Sequence, residues 1–415
     1  MDAQKLLQMR RQRGYEIAQK GRVSQKEGVW LVPSQTIPTK AYKVVLKLEG
    51  SECTCEDFRA RGIRCKHIFA VEITIGKSYD KNGNLTITQT KRITYSQNWN
   101  AYTKAQTEEV RLFDQLLKNL VENVDESTQA IGRPRTPLKE GLFCSIQKVY
   151  SQLSSRRAYS LYRNAEGKAQ IAKAPNYNVI NVLLNNPEIT PILHTLLETT
   201  ALPLKSVESQ FAIDSTGFRT SKFGEYCNAK YGQGKNHVWL KAHLCVGVKT
   251  NVITAVEITK EYGSDSPQFI PLLNKTSRNG FDVQEVSADK AYNSVANYNA
   301  VREIGGVAFI PFKSNATGNS GFSKGSKGKL WRKMFLYFQM NQDEFMQHYH
   351  LRSNVESTNM AIKTKLGDCL KSKNTVSQTN ELLCKLIAYN ITVLISAIYE
   401  LGIEPNITAF QNNHS

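Results

Sequence analysis

The stretch YHLRSNVESTNMAIK, residues 349–363, carries the pattern from which the rest of the chain can be interpreted. Four of its polar residues lie at offsets of 0, 3, 7 and 14, which fall on one face of an α-helix: Tyr349, Arg352, Glu356 and Lys363. Apolar cover lies beside that face, at Val355, Met360, Ile362 and Leu366. A carboxylate among two cations and a phenol indicates a helix that holds an anionic ligand. A solvated amphipathic face with an ordinary Arg–Glu pair is the alternative explanation.

Two aspartates upstream extend this pattern. The segment SQFAIDSTGF places Asp214 directly after an apolar run, and FDVQEVSADKAYNS places Asp289 after another. We expect each aspartate to stand at the end of a buried strand. Taken singly, either one would equally suit the cap of a turn.

The spacing Tyr, two residues, Arg, three residues, Glu, six residues, Lys resembles the signature around the third carboxylate of DDE transposases from prokaryotic insertion sequences. These enzymes also need two upstream aspartates, which Asp214 and Asp289 match. The resemblance covers about residues 206–396. It implies a ribonuclease H-like catalytic domain that cleaves transposon ends and transfers the strands into target DNA.

The resemblance also implies a role for each matching residue. Asp214, Asp289 and Glu356 would hold two Mg²⁺ ions, with Mn²⁺ as a substitute, for in-line attack on phosphorus. Contacts to DNA phosphates would come from the remaining signature residues, Tyr349, Arg352 and Lys363.

The composition sets limits on partners and location. The 415 residues leave room for two or three domains, and the formal net charge of +18 favours a polyanionic partner over a merely basic surface. We expect double-stranded DNA, both terminal inverted repeats and target, to be that partner, bound by a homodimer. The absence of a signal peptide and of an uninterrupted apolar run of about 20 residues predicts a cytoplasmic, nucleoid-associated protein with no membrane partner.

A second motif lies near the start, in CTCEDFRARGIRCKHIFAVEI. It has the spacing Cys-x-Cys, nine residues, Cys-x-His, and its candidate ligands are Cys53, Cys55, Cys65 and His67. Three thiolates and one imidazole suit a closed tetrahedral zinc site, and the spacing resembles the SWIM zinc finger. We expect a hairpin to carry the first two ligands and a short helix the last two, with one structural Zn²⁺. A reduced cysteine cluster without metal is the alternative.

The region between the finger and the first aspartate is less distinctive. We assign residues 1–78 to a basic arm and the finger, 79–136 to a linker with an amphipathic helix at 105–124, and 137–205 to a helical DNA-binding region. Within the linker, Gly132-Arg133-Pro134-Arg135 resembles the core of minor-groove arms, so Arg133 and Arg135 are candidate DNA contacts, although an ordinary proline-rich linker fits equally well. Helices are predicted near 138–152, 156–166 and 177–185, as in a helix-turn-helix-like bundle.

From residue 206 the pattern predicts the order strand, hairpin, helix, strand, helix, strand, helix. This is the order of a ribonuclease H-like α/β fold, a mixed five-stranded sheet flanked by helices, which we assign to residues 206–401 with a tail at 402–415. Ser266 is expected to cap the helix that Pro267 starts. Asp265, a fourth candidate acid, is expected at the same helix start, and His243 is expected to be packed within its strand.

The segment from Lys313 to Lys333 contains no acidic residue and is rich in Gly, Ser and Asn. We predict a DNA-contacting loop that orders on binding, with contacts from Lys324, Lys327 and Lys329; a disordered surface loop is the alternative. Two other functions also fit the sequence: a structure-specific DNA nuclease on the same fold, and a DNA-binding regulator descended from a transposase.

Overall fold

The structure is a computed structural model. It describes residues 3–20, 23–26, 29–37, 40–46, 51–75, 77–79, 85–87, 98–126, 135–220, 239–318 and 326–405. The chain divides into two compact units, Met1–Ser96 and Gln97–Ser415.

The first unit is built on a small antiparallel sheet in the order β1-β2-β3-β4. Its strands are β1 (Ser24–Lys26), β2 (Val29–Pro33), β3 (Ala41–Val45) and β4 (Glu52–Cys53), and a separate hairpin joins β5 (Lys77–Tyr79) to β6 (Leu85–Ile87). Its helices are α1 (Ala3–Lys20), α2 (Glu56–Arg61) and α3 (Lys66–Ile75). Helices α1 and α3 touch at Gly14, where an added Cβ would lie 2.6 Å from the Cβ of Phe69. A small core of buried apolar residues lies between helices and sheet: Ile17, Val32, Val44, Ile68 and Val71.

The second unit contains a mixed five-stranded sheet in the order β11-β10-β7-β8-β9. Its strands are β7 (Gln210–Arg219), β8 (Trp239–Gly247), β9 (Ile253–Lys260), β10 (Glu285–Ala288) and β11 (Val307–Phe309). Strands β7, β8 and β9 pair antiparallel, whereas β10 pairs in parallel with both β7 and β11. This arrangement confirms the predicted ribonuclease H-like fold class.

Helices surround this sheet. They are α4 (Trp99–Val121), α5 (Leu138–Tyr150), α6 (Ser155–Gly167), α7 (Tyr177–Leu184), α8 (Ile189–Ala201), α9 (Ser266–Arg278), α10 (Val295–Glu303), α11 (Ser326–Met340), α12 (Gln342–Tyr349), α13 (Ser353–Leu366) and α14 (Thr375–Leu401). Short 3₁₀ turns lie at Leu202–Leu204, Lys290–Tyr292 and His350–Arg352. Helix α8 was not predicted. Within the amphipathic helix predicted at 105–124, which corresponds to α4, Val110 is exposed, and the buried positions include Phe113, Leu117 and Leu120.

Helix α14 is the central helix of the second unit and packs against α4, α5 and α8. By length and composition it could cross a membrane, but 83% of its most apolar window is buried inside the protein. It is therefore a core helix.

Three local predictions about the second unit are wrong. Strand β7 does not end at Asp214 but continues to Arg219, because β8 goes on pairing with it through Trp239. The segment 313–333 is not one continuous loop, because α11 begins at Ser326. Residues 349–363 are not one helix, because a 3₁₀ turn separates Tyr349, the last residue of α12, from Ser353, the first of α13. Met360 also does not serve as apolar cover, since 69% of it is exposed.

A buried amide joins α14 to the edge of the sheet. A β-bulge interrupts the β8–β9 ladder at Cys245/Val246, close to Ile253. Asn390 is fully buried, accepts a hydrogen bond from the Ile253 N–H (2.9 Å) and donates to the Ile253 carbonyl (2.7 Å) and to Thr200 Oγ1 (2.9 Å). Because β9 is an edge strand, the side chain supplies hydrogen-bond partners to backbone groups of that edge.

We expect Asn390→Ala to lower the free energy of unfolding of the second unit by about 2–4 kcal/mol, because it leaves two buried backbone groups without partners. Urea denaturation measures the loss, and hydrogen exchange at the Ile253 amide localises it. Ser396→Ala is the matched control, because that hydroxyl donates only along its own helix, to Thr392 O. Equal losses in the two variants would contradict the assigned role.

Candidate active site

The two aspartates meet where parallel pairing of β7 with β10 stops. The last paired residues are Ile213 and Ala288, so Asp214 and Asp289 follow the same step of the ladder on neighbouring strands. Each carboxylate accepts a hydrogen bond from the next backbone N–H through Oδ1, at 2.8 Å from Ser215 and 2.7 Å from Lys290. The capping contact considered from sequence is therefore present at both residues. It occupies one oxygen, Oδ1, of each carboxylate.

Arg352 joins the third carboxylate to the first. Its Nη1 lies 3.1 Å from Asp214 Oδ2, and its Nη2 lies 2.5 Å from Glu356 Oε1. Asp214 and Arg352 are both about four-fifths buried, with side chains 19% and 20% exposed. The guanidinium is thus the counter-charge between two of the predicted metal ligands, rather than a cation pointing to solvent.

The other two signature residues lie nearby. Tyr349 lies on α12, one turn before Arg352, and its ring centroid is 5.6 Å from the guanidinium carbon. Lys363, on α13, places its ammonium 5.6 Å from the ring centroid of Phe218 in β7. The 3₁₀ turn changes the geometry expected from a single helix, yet both residues stay close to β7 or to Arg352.

Helix α13 is fixed to β7 at both ends. At its start, Arg352 contacts Asp214. Beyond its end, Arg219 forms an ion pair with Asp368 at 2.6 Å, and the Arg219 carbonyl accepts a hydrogen bond from the Leu370 N–H at 2.8 Å. Glu356 therefore has a defined position relative to the strand that carries Asp214.

The carboxylates repel one another in a partly buried place. Burial raises the pKa of Asp214, and the negative charges of Asp289 and Glu356 raise it further, while the Ser215 N–H and Arg352 act in the opposite direction. The carboxylate oxygens are hard donors of the kind that Mg²⁺ binds. In the described residues, only the cysteine–histidine cluster of the first unit brings candidate metal ligands all within 4.8 Å of one another. The oxygen donors of the three carboxylates are of the type that magnesium binds. In this structure Arg352 provides the positive charge beside two of them.

Asp265 lies on the other face of the sheet. It forms ion pairs with Lys241 at 2.6 Å and with His243 at 3.3 Å. Lys241 and His243 point to one face of β8, and Leu244 points to the other. Leu244 is the cross-strand partner of Asp214, so Asp214 and Asp265 lie on opposite faces of the sheet.

The helix that begins beside Asp265 is capped differently from the prediction. Asp265, rather than Ser266, is its N-cap residue, and its side chain makes no capping hydrogen bond. His243 is fully buried as predicted, and burial lowers its pKa to about 4.

The remaining predicted DNA contacts are dispersed. Arg133 and Lys324 lie outside the described residues. Arg135 is exposed just before α5, and Lys327 and Lys329 belong to helix α11, not to a loop.

The candidate zinc ligands form a single cluster in the first unit. Cys53 ends β4, Cys55 is the N-cap of α2, Cys65 directly precedes α3, and His67 lies in the first turn of α3. The hairpin was expected to carry Cys55 as well, but β4 ends at Cys53 and Cys55 is the N-cap of α2. All four side chains are buried.

The geometry of this cluster suits zinc. His67 Nδ1 lies 3.8 Å from Cys53 Sγ and 3.9 Å from Cys65 Sγ. In a tetrahedral site with zinc–sulfur bonds of about 2.3 Å and zinc–nitrogen bonds of about 2.0–2.1 Å, sulfur and nitrogen lie about 3.6 Å apart. Ligation through Nδ1 leaves the ring proton on Nε2, which is buried and has no hydrogen-bond partner among the described residues.

The three thiols of the cluster do not all ionise readily without a bound cation. A hydrogen bond from Cys53 lowers the pKa of Cys65 to about 4, while the pKa of Cys53 is raised by its bond to Cys65 and that of Cys55 by burial. One thiolate is favoured and the next two are opposed. A divalent cation would remove that opposition, so the cluster is consistent with a structural zinc site.

Family models match the two regions of the chain that contain these sites. Residues 205–391 match the family described as "Transposase DDE domain". The chain therefore carries a DDE transposase domain. Residues 42–76 match the SWIM zinc finger, so this finger precedes the DDE transposase domain. Among solved structures, the chain is similar to a piggyBac transposase in a synaptic complex with hairpin DNA, at 9% identity and a TM-score of 0.34, over 76% of this chain and 78% of that one.

We expect purified protein to contain one zinc per chain, measured by elemental analysis. Cys65→Ser should lose it and raise hydrogen exchange across residues 51–75, because in such modules the metal-binding free energy is also folding free energy. Cys369→Ser, which removes a thiol from the second unit, is the control and should keep the zinc. Equal protection of residues 51–75 in the two variants would contradict the metal site.

We expect Arg352→Gln to lower the thermal midpoint in magnesium-free buffer by the equivalent of about 1–2 kcal/mol, because two carboxylates lose their shared counter-charge. Added Mg²⁺ should recover more stability in this variant than in the wild type, since the cation no longer competes with the guanidinium. Thermal denaturation across a magnesium titration measures both effects.

Lys365→Gln is the matched control for Arg352→Gln. It also breaks a partly buried ion pair, with Glu109 at 2.5 Å, but one on a different carboxylate. A magnesium response equal in the two variants would show that Arg352 does not compete with the metal.

Proposed function

We propose that this protein is a DNA transposase that cleaves transposon ends and transfers the strands into target DNA. The observation that carries the proposal is the meeting of Asp214 and Asp289 at one step of the sheet, with Glu356 joined to Asp214 through Arg352. The match of residues 205–391 to the DDE transposase domain supports the same reaction class.

In this proposal Asp214, Asp289 and Glu356 hold two divalent cations, Mg²⁺ or Mn²⁺. When bound, such a pair activates the attacking water or DNA 3′-hydroxyl and stabilises the leaving oxygen. Asp289 contributes the oxygen that its backbone contact leaves available, and Asp214 contributes Oδ2, which Arg352 would have to release. Glu356 contributes from a helix that is fixed to β7 at both ends.

Arg352, Lys363 and Tyr349 hold the DNA backbone beside these carboxylates. Burial lowers the pKa of Lys363, a cost to its charged form that a bound phosphate would offset. Arg352 can bind the two carboxylates, as it does here, or a DNA phosphate. Tyr349 packs on the guanidinium and restricts its orientation.

The proposal extends to the partners and the location. The net charge of +18 supports binding to double-stranded DNA, both the terminal inverted repeats and the target. We propose a homodimer on DNA, because two ends must be joined, and a cytoplasmic, nucleoid-associated location in a prokaryotic cell. The finger, with its closed ligand set, has a structural role and takes no part in the phosphoryl transfer.

The test uses labelled duplex DNA that carries the terminal repeats of the element, with Mg²⁺ present. Asp214→Asn, Asp289→Asn and Glu356→Gln should each reduce strand cleavage at least about a hundredfold and leave DNA binding intact. Asp265→Asn is the matched control, since it removes an acid from the opposite face of the same sheet, and it should cleave at the wild-type rate.

The products separate the alternatives. Cleavage followed by joining to a second duplex supports transposition. Cleavage with no joined product would instead identify a structure-specific nuclease. Specific binding without cleavage in the wild type would identify a DNA-binding regulator and reject the proposal.

A further inference from the structure

A polar cavity of about 650 Å³ lies in the second unit, apart from the three carboxylates. Helices α5, α6 and α7 form one side of it, and the segment that follows α13 forms the other, together with the start of α14. Four of its lining residues are lysines and one is an acid: Lys148, Lys371, Lys373, Lys385 and Glu381. Its volume is in the range of ligand sites, roughly 300–1,000 Å³.

Three of these charged groups are engaged by the protein itself. Glu381 accepts hydrogen bonds from the backbone N–H groups of Lys371 and Ser372, at 2.9 and 2.7 Å. Lys385 is buried and donates to the carbonyl groups of Leu366, Gly367 and Cys369, and Lys371 donates to the Gln152 carbonyl. These contacts hold the wall of the cavity in place.

The other two lysines are available to a ligand. Lys148 is partly buried, and among the described residues its ammonium, which has three donors, bonds to Asn181 Oδ1 at 3.0 Å. Lys373 is exposed at the rim. Burial lowers the pKa of Lys148, and the charge of Lys371 lowers it further against the opposing effect of Glu381, so a bound anion would relieve a real cost.

Two helix starts add to the positive potential. The N-cap residues of α6 and α14 are Ser154 and Asn374, both in the lining, and neither side chain makes a capping hydrogen bond. The partial positive charge at the start of a helix favours an anion.

The lining favours a DNA backbone over a nucleotide. Bases are held by stacking on aromatic rings or arginine planes, and the described lining residues include neither. The cavity also borders the active-site helix: Leu366 lines it, and Glu356 precedes Leu366 by ten residues, about 15 Å along α13. Along the axis of a DNA duplex each strand has one phosphate per about 3.4 Å, so with that axis parallel to α13 a phosphate about four nucleotides from the reacting one would reach the cavity.

We propose that this cavity is a subsite for a backbone phosphate of the DNA substrate, held by Lys148 and Lys373. The inference rests on the proposed function, because it takes the DNA bound at Glu356 as its ligand. The inference assigns to α5 and to the segment after α13 a contact with the DNA backbone. This contact would fix which nucleotide of the DNA strand lies at the carboxylates.

The test measures binding of a fluorescently labelled DNA duplex by anisotropy across a KCl series, without divalent metal so that no strand is cut. The variants are Lys148→Gln, Lys373→Gln and the double variant. Loss of one phosphate contact should lower the slope of log K against log[KCl] by about 0.9 in the double variant, and weaken binding at low salt. Lys373→Gln alters an exposed side chain, so it remains informative if the Lys148 variant folds poorly.

Lys205→Gln is the matched control. It removes the same charge from an exposed lysine near Gly280, at the end of the sheet where β7 begins, and should keep the wild-type slope. Equal slopes in the double variant and the wild type would overturn the proposal.

Inorganic phosphate alone, compared with KCl at equal ionic strength, tests the other source of the same ligand. If phosphate raised the thermal midpoint of the wild type but not of the double variant, while the DNA slopes stayed equal, the cavity would be a small-anion site and the proposal would fail. The transposase proposal is tested separately by cleavage. A slope difference with no cleavage would support the subsite and reject only the transposase.

Discussion

The structure of the second unit depends on strand β7. It pairs in parallel with β10 on one side and antiparallel with β8 on the other, over nine residue pairs with β8. It also carries Asp214, whose carboxylate contacts Arg352, and Arg219, which contacts the segment after α13. A shift of one residue in either ladder would move Asp214 to the opposite face of the sheet, because side chains alternate along a strand. The register of β7 therefore fixes the site.

Charge is the second constraint. Three carboxylates near one strand end have to be compensated by cations, and the protein supplies one from its own chain. That cation, Arg352, is held by Asp214, Glu356 and the Tyr349 ring together. The same logic applies at the cavity beyond α13, where Lys148 is partly buried next to other lysines and an anion would lower the cost of its charge.

We expect the stability of the first unit to depend on a different interaction, the candidate zinc site. Its sheet has short strands and a core of few apolar residues, which contribute little to stability. The cysteine–histidine cluster lies where β4, α2 and α3 meet, so a bound zinc would connect all three elements. Such a site has no open position for a substrate, which is consistent with our proposal that the carboxylates of the second unit carry the catalytic chemistry.

The amino-acid sequence by itself determined most of the element types, the order of the strands in the second unit and the identity of the zinc-ligand candidates. Apolar runs mark β7 to β10, and ligand spacing marks the finger, because both signals are local in the chain. The sequence did not reveal the continuation of β7 beyond Asp214, since that extension comes from pairing with β8. It also placed Tyr349 and Glu356 on one helix, because the 3₁₀ turn between them has no strong sequence signal.

Only the tertiary structure decided which charged groups face one another. Asp214 and Asp265 are both acids near strand ends in the sequence, but alternation along the paired β7 and β8 places them on opposite faces of the sheet. Arg352 could have faced solvent, as the helical pattern allows, and is instead enclosed by carboxylates from two separate segments. Lys148 and Lys373 are 225 residues apart and share a cavity because α14 packs against α5. Such contacts depend on packing between distant segments, which no local pattern specifies.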